Sequence, residues 1–257
     1  MSSPAIDGSL EKWLCAQVVA HGKLFRHKSV LLDVGAYQGD FARTMLEMPG
    51  TPFQRAVLFE PNPQNFTYLK ERFAGNASVQ LENCACHCTA GRQTMFCQGE
   101  SYTASLLPYA TPTPEGAARQ FTVKTLTLDE YLAPQDFRGN IGLIKIDTQG
   151  NDLRVLQGGE ATLRSSRPWL VVELIYTPLY LGQAQPLELA QWLDGQGYFW
   201  AAQFNEFYSE AGWLAWSDAC FAPKEACASS GTAFFPRPTA PAARKKLWKR
   251  WRDRLSS

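Results

Sequence analysis

Residues 29–41 read SVLLDVGAYQGDF, and the fold turns on them. Val30 to Val34 is an apolar run carrying one acid, Asp33, and is short enough for a strand buried in a parallel sheet. Gly35-Ala36-Tyr37-Gln38-Gly39 then opens a turn, and the apolar spacing from Phe41 to Met45 suits a helix. Strand, glycine turn and helix together make the unit that holds an adenosine-bearing cofactor at the C-terminal edge of an α/β sheet. Glycine is needed because the turn is tight and the ligand approaches the backbone closely. A dinucleotide fingerprint, G-x-G-x-x-G, requires a second glycine where this loop has Tyr37. The pattern present is acid-x-G-x-x-x-G.

Composition bounds the rest. The chain has 257 residues, 45% apolar and 19% charged, which suits one globular domain with tails. No apolar run approaches a membrane-spanning length. The opening MSSPAIDGSLEKWL lacks the basic region and hydrophobic core of a signal peptide. Seven cysteines, an odd number, fit a reducing compartment better than a disulfide framework, so the expected location is cytoplasmic. The net charge of +1 conceals an asymmetry: Arg244 to Arg254 hold seven bases and one acid, leaving 18 bases and 23 acids elsewhere. The basic patch belongs to a tail, which argues against nucleic acid as the main substrate.

In chain order, Ser9 to Val19 reads as a helix with Leu10, Trp13, Leu14 and Val18 on one face, within an N-terminal helical segment 1–28. Ala56 to Phe59 is a second strand, closed by Glu60. A carboxylate there can accept both hydroxyl hydrogens of a ribose, the alternative being an ordinary solvated residue. Asn62 can cap the next helix with Pro63 at its first position, Phe66, Leu69 and Phe73 make its buried stripe, and Gly75 stops it. Ser78 to Glu82 is a third strand. In Cys84-Ala85-Cys86-His87-Cys88 the ligand spacing is wrong for zinc, and cysteines on one face of an extended chain act as small apolar fillers. His87 is a candidate general base. Gln93 to Cys97 and Gln120 to Thr125 read as short strands around a polar loop, Gln98 to Gly116, long enough to cover or select a substrate.

Residues 141–156, IGLIKIDTQGNDLRVL, are the second informative stretch. Ile141 to Ile146 is a buried strand broken by Lys145, Asp147 ends it, and Thr148-Gln149-Gly150 turns into a helix with Leu153, Leu156 and Leu163 on its apolar face. Trp169 to Val172 is a strand ending in Glu173. Two acids ending two consecutive strands meet the glycine turn at one sheet edge, where open α/β sheets put their sites; the alternative is that each caps or pairs a loop. Pro186 to Leu193 is a helix, and Tyr198 to Ala202 and Trp213 to Phe221 form a reversed hairpin at one edge. The core domain is expected over 29–224 and a flexible linker over 225–243. The tail 244–257 carries Leu247, Trp248, Trp251 and Leu255 on one helical side among bases. That composition suits peripheral contact with the inner face of a membrane or with a partner protein through residues 244–255.

The motifs Asp33-Val34-Gly35-Ala36-Tyr37-Gln38-Gly39, Phe59-Glu60-Pro61-Asn62, Asn83-Cys84-Ala85, Thr125-Leu126-Thr127-Leu128-Asp129 and Ile144-Lys145-Ile146-Asp147-Thr148-Gln149-Gly150 occur in one order. With Val155-Leu156-Gln157-Gly158, Glu173 and Pro178-Leu179-Tyr180-x-Gly182-Gln183, they resemble the FkbM-type methyltransferase family from about Leu31 to Ala222. The resemblance implies an α/β class I methyltransferase (Rossmann-like) fold. Its seven-stranded sheet is mostly parallel, with an antiparallel last strand and helices on both faces. It also implies S-adenosylmethionine as cofactor and methyl transfer to a hydroxyl of a sugar, glycan or secondary metabolite. The cofactor set is then Asp33, Gly35, Ala36, Tyr37, Gly39, Glu60, Asn62, Asn83 and Cys84. Asp147, with His87 and Glu173 as rivals, acts on the acceptor. Holding a divalent cation is the minority role for Asp147, because too few oxygen ligands can be assigned, and no metal ligand is named. Thr148-Gln149 departs from the family, many of whose members carry a small residue followed by Glu. A nicotinamide oxidoreductase, weakened by Tyr37, and an inactive cofactor-binding partner module are the competing readings.

Overall fold

The computed structural model describes residues 10–20, 28–98, 103–111, 118–137 and 139–229. The chain divides after Pro223. In the first unit the elements run α1 (Leu10–Ala20), β1 (Val30–Val34), α2 (Asp40–Glu47), β2 (Arg55–Phe59), α3 (Pro63–Arg72), β3 (Val79–Glu82), β4 (Ala85–Cys86), β5 (Gly91–Gln98), β6 (Ala118–Leu126) and α4 (Leu128–Leu132). They continue with β7 (Ile141–Ile146), α5 (Asp152–Gln157), α6 (Glu160–Ser166), β8 (Trp169–Ile175), α7 (Pro186–Gly195), β9 (Tyr198–Tyr208) and β10 (Leu214–Pro223). The second unit, 224–257, has one described element, α8 (Lys224–Ser229). Most of the expected linker and the whole expected tail lie outside the described residues.

Seven strands form one sheet in the order β3-β2-β1-β7-β8-β10-β9. Strands β1, β2, β3, β7 and β8 pair in parallel, and β10 is antiparallel to both its neighbours. The apolar runs read from the sequence are these central strands: β1 is buried along its whole length, as parallel pairing under helices on both faces requires. One face packs Val30, Leu32, Ile144, Val172 and Phe221 against Leu128 and Leu132 of α4, Leu153 of α5 and Leu189 and Leu193 of α7. On the other face Trp13 of α1 meets Trp169 edge-on at 5.8 Å between ring centres, and α2 packs beside α1 and β1. The reversed hairpin expected at one edge is there, formed by β9 and β10. β10, buried from Ala219 to Pro223, lies inside the sheet, while β9, with Trp200, Phe207 and Tyr208 exposed, takes the edge. The more buried strand takes the position shielded on both sides.

The helix expected to run on from Asp152 past Leu163 breaks in two at Gly158-Gly159. A Cβ on Gly158 would collide with the backbone carbonyl of His87, so the chain passes too close there for any other residue. Helix α4 carries a local signal in T-x-x-E: the Thr127 hydroxyl caps it, accepting the Glu130 N–H at 3.0 Å and donating to the Glu130 carboxylate at 3.0 Å.

Strands β5 and β6 make a separate three-stranded sheet with β4, in the order β4-β6-β5. Its Ala85, Met95 and Val123 cluster with Leu106. Residues 103–111 are fastened to it by paired backbone bonds between Phe96 and Ser105 at 2.8 and 2.9 Å. This inserted layer stands beside the C-terminal edge of the large sheet and supplies one wall of the site. Among the described residues no helix is long and apolar enough to cross a membrane.

Candidate active site

A cavity of about 640 Å³ opens at the C-terminal edge of the large sheet. Gly35, Tyr37, Glu60 and Cys84 lie along one part of its lining, and Asp147, Gln149, Glu173 and Tyr180 along another. The strand order explains the juxtaposition. β1 is flanked by β2 and β7, and β8 follows β7, so the residues after these four strands emerge side by side.

The glycine turn is built by close approach. Gly35 has φ +80°, and a Cβ there would collide with the Asp147 carbonyl oxygen. Its N–H and that of Ala36 donate to the Phe59 carbonyl at 3.0 and 3.1 Å. Tyr37 holds a left-handed φ of 49°, and its N–H donates to Glu60 Oε2 at 2.8 Å. Glu60 Oε1 accepts the Asn62 N–H at 2.8 Å. Burial pushes the Glu60 carboxyl up to about 7 against the pull of these donors. Asn62 caps α3 through the Gln64 N–H at 3.0 Å, and Asn83 Nδ2 donates to the Glu60 carbonyl at 2.8 Å. Asn62, Asn83 and Ala36 therefore shape the backbone around Glu60 and do not line the cavity, whereas Gly35, Tyr37, Glu60 and Cys84 line it.

Three expected site residues are displaced. Asp33 does not line the cavity: with side chains alternating along β1, Val34 lines it and Asp33 projects from the other face. There it is 1% exposed, and among the described residues neither carboxylate oxygen makes a hydrogen bond. Burial raises it to about 6, opposed chiefly by the Lys145 ammonium. Gly39, with φ +75°, serves packing, since a Cβ would stand 2.6 Å from the Phe73 ring and 2.9 Å from Leu69 of α3. His87 is outside the cavity lining; its Nδ1 lies 3.0 Å from the Thr89 hydroxyl, and partial burial followed by the Arg154 charge lowers its pKa. The cysteine run serves packing too: Cys84 and Cys86 are buried, and burial pushes their thiols up, Cys84 to about 12. Among the described residues no three His, Cys, Asp or Glu side chains are arranged to hold a metal ion.

Asp147 and Glu173 do come together. Asp147 Oδ2 accepts from Lys145 Nζ at 3.0 Å. Enclosure opposes ionisation of Asp147, but Lys145 and its hydrogen bonds outweigh this and hold it below the usual carboxylate range. Enclosure, then the charge of Asp147, push Glu173 well above its ordinary value. The result is one ionised carboxylate beside one proton-holding carboxyl. Residues the sequence reading passed over complete the cluster. Asp152 accepts the N–H groups of Thr148 and Gly150 at 2.9 and 3.1 Å, folding the turn that presents Asp147 and Gln149. Burial raises Asp152 to about 7. Tyr109, Leu179, Tyr180 and Trp216 form an aromatic and apolar wall. Tyr109 and Tyr180 belong to the two segments, Gln98 to Gly116 and Tyr176 to Gln183, expected to select the acceptor; their aromatic pairing, ring centres 5.2 Å apart, has no local sequence signal.

A sheet in this order, with the glycine turn after β1 and an acid after β2, is the class I methyltransferase architecture. Residues 33–199 match the methyltransferase FkbM domain, and the chain belongs to that S-adenosylmethionine-dependent methyltransferase family. The chain is similar to the crystal structure of methyltransferase FkbM from Methylobacillus flagellatus KT, at 15% identity and a TM-score of 0.51. That likeness covers 76% of this chain and 44% of the other, so this chain spans less than half of that protein's length. A putative RNA methyltransferase, PH1948 from Pyrococcus horikoshii, is similar at 8% identity and a TM-score of 0.44, over 83% of this chain and 81% of that one. Comparison with curated protein sequences gives no match.

Proposed function

We propose that the protein transfers a methyl group from S-adenosylmethionine to a hydroxyl of a sugar, glycan or secondary metabolite. The observation that carries this reading is the single cavity joining the glycine turn and Glu60 to the Asp147–Glu173 pair. When bound, the cofactor supplies an activated methyl group on a sulfonium, so the protein needs mainly to position an acceptor oxygen and take its proton.

The residues present fit that division of labour. Glu60 is 5% exposed and keeps acceptor capacity beyond its two short backbone bonds, as two ribose hydroxyls require. Gly35 leaves open the space beside the turn that a side chain would fill. At the acceptor end, Asp147 is the ionised oxygen base, and Lys145 balances its charge from behind. Glu173 stores a proton beside it. The wall of Tyr109, Leu179, Tyr180 and Trp216 offers ring faces on which a sugar or a flat metabolite can stack while excluding water.

Calorimetric titration of the purified protein with S-adenosylhomocysteine and, separately, NAD tests the cofactor. Binding of the first alone supports the reading and opens an acceptor screen over sugars and hydroxylated metabolites. Binding of NAD alone would sink it.

A further inference from the structure

Gln149 sits where three parts of the site meet. Its Nε2 donates to Asp147 Oδ1 at 3.1 Å and to Glu173 Oε2 at 3.0 Å. Its Oε1 accepts from the Tyr180 hydroxyl at 2.7 Å. The backbone at Gln149 is left-handed, φ 56°, and its carbonyl accepts from Ser105 Oγ at 2.7 Å. The ionised Asp147 determines which way the amide faces: it needs a donor, and the reversed amide would turn its oxygen on it. A carboxylate at this position would have no proton to offer either acid.

We propose that Gln149 is the positioning residue of the Asp147–Glu173 pair, bridging the two carboxyl groups through one amide and favouring the ionised form of each. The inference rests on the methyl-transfer reading of the same cavity. Its physical basis is that a donor to a carboxylate stabilises the charged form, while a neighbouring negative charge destabilises it. The charged groups around the pair leave few supports. Asp33 from β1, Asp152 from α5, Asp218 from β10 and, on deprotonation, Tyr180 all oppose further negative charge; Lys145 from β7 favours it. Among the described residues the Gln149 amide is the one neutral group that donates to both acids. Tyr180 holds the amide in its orientation. The Tyr109 hydroxyl, on the ring packed against Tyr180, donates to the Thr103 carbonyl at 2.6 Å. The amide is thereby tied to residues 103–111 on the acceptor side.

The test needs no acceptor. S-adenosylmethionine carries a sulfonium charge that S-adenosylhomocysteine lacks, so their affinity ratio reads the negative charge beside the transfer point. Both affinities are measured calorimetrically between about pH 5 and 8.5 on the full-length protein, Gln149→Leu and Tyr180→Phe. In the unaltered protein the preference for the sulfonium should rise with pH as Glu173 gives up its proton beside the ionised Asp147. In Gln149→Leu the midpoint should move up by about one pH unit, and Tyr180→Phe should move it the same way by less. A merely structural role for Gln149 would weaken both ligands together and leave the midpoint in place. A Gln149→Leu profile lying on that of the unaltered protein would overturn the proposal. If that variant does not fold, an unmoved midpoint in Tyr180→Phe would do the same. Unaltered protein that binds neither ligand would instead remove the methyl-transfer reading, and this inference with it.

Discussion

The Tyr37 backbone N–H donates to Glu60 Oε2 at 2.8 Å, so the glycine turn after β1 hangs from the acid that ends β2. On the proposed reading, one carboxyl serves both cofactor recognition and loop shape. Glu60→Ala should weaken S-adenosylhomocysteine binding at least tenfold, a loss of ~1.4 kcal/mol. Calorimetry checks this, and an unchanged affinity would remove Glu60 from the ribose role.

Gly35 touches the end of β7 as well as the cavity. Gly35→Ala adds a Cβ that collides with the Asp147 carbonyl at a φ of +80°, which an L side chain rarely adopts. Strain of this kind is worth about 1–3 kcal/mol, so the melting temperature should fall and cofactor affinity with it. A stable variant with normal affinity would show that the turn has room to relax.

Asp147→Asn removes the ionised oxygen from the acceptor end without touching the glycine turn. S-adenosylhomocysteine should bind within about threefold of the unaltered protein, while turnover on any acceptor found falls ~100-fold or more. Glu173→Gln should give a smaller loss, because its proton store is replaced by an amide. Full activity of Asp147→Asn would exclude it as the base.

His87 marks the opposite case. It lies outside the cavity, against Thr89, and His87→Asn should leave both cofactor affinity and turnover within about twofold. A hundredfold loss of turnover would reinstate it as a base.

Asp33 carries a stability signature. Its folded pKa, about 6, is raised above the ordinary value, so the folded state holds the extra proton between the two. Its contribution is therefore present below about pH 4 and is lost as pH rises through about 6. Asp33→Asn should raise the melting temperature by about 2–4 °C at pH 8, for ~1 kcal/mol, and change it little at about pH 3.5, below the ordinary carboxylate value. Equal shifts at both values would show that burial of the charge is not the cause.

Much of the fold was legible because its signals are local. The runs of residues 30–34, 56–59, 141–146 and 169–172 are apolar because a parallel strand under helices has no wet face. Asn62-Pro63 announces a helix start, and the structure caps α3 there. Helix α4 too has a local start signal, the Thr127 cap that accepts the Glu130 N–H. Glu60, Asp147 and Glu173 could be named because each follows such a run, and the ends of parallel strands collect at one edge.

What only the tertiary structure decided concerns contacts between distant segments. Asp33 and Val34 are neighbours in sequence, yet the two-residue period of β1 sends one to the cavity and the other into the opposite layer. The break at Gly158-Gly159 has a local signal in the glycine pair, but the approach of the His87 carbonyl, 71 residues earlier, that bars a side chain at Gly158 is set only by the fold. Gln149 reads in the sequence as a turn residue; its meeting with Glu173 and Tyr180 depends on β7 and β8 lying side by side. Sequence determined which residues could form strands, turns and caps, because those preferences are set within a few residues. The charge states and partners of the site were decided by the fold, because electrostatic interactions and hydrogen bonds depend on distance in space.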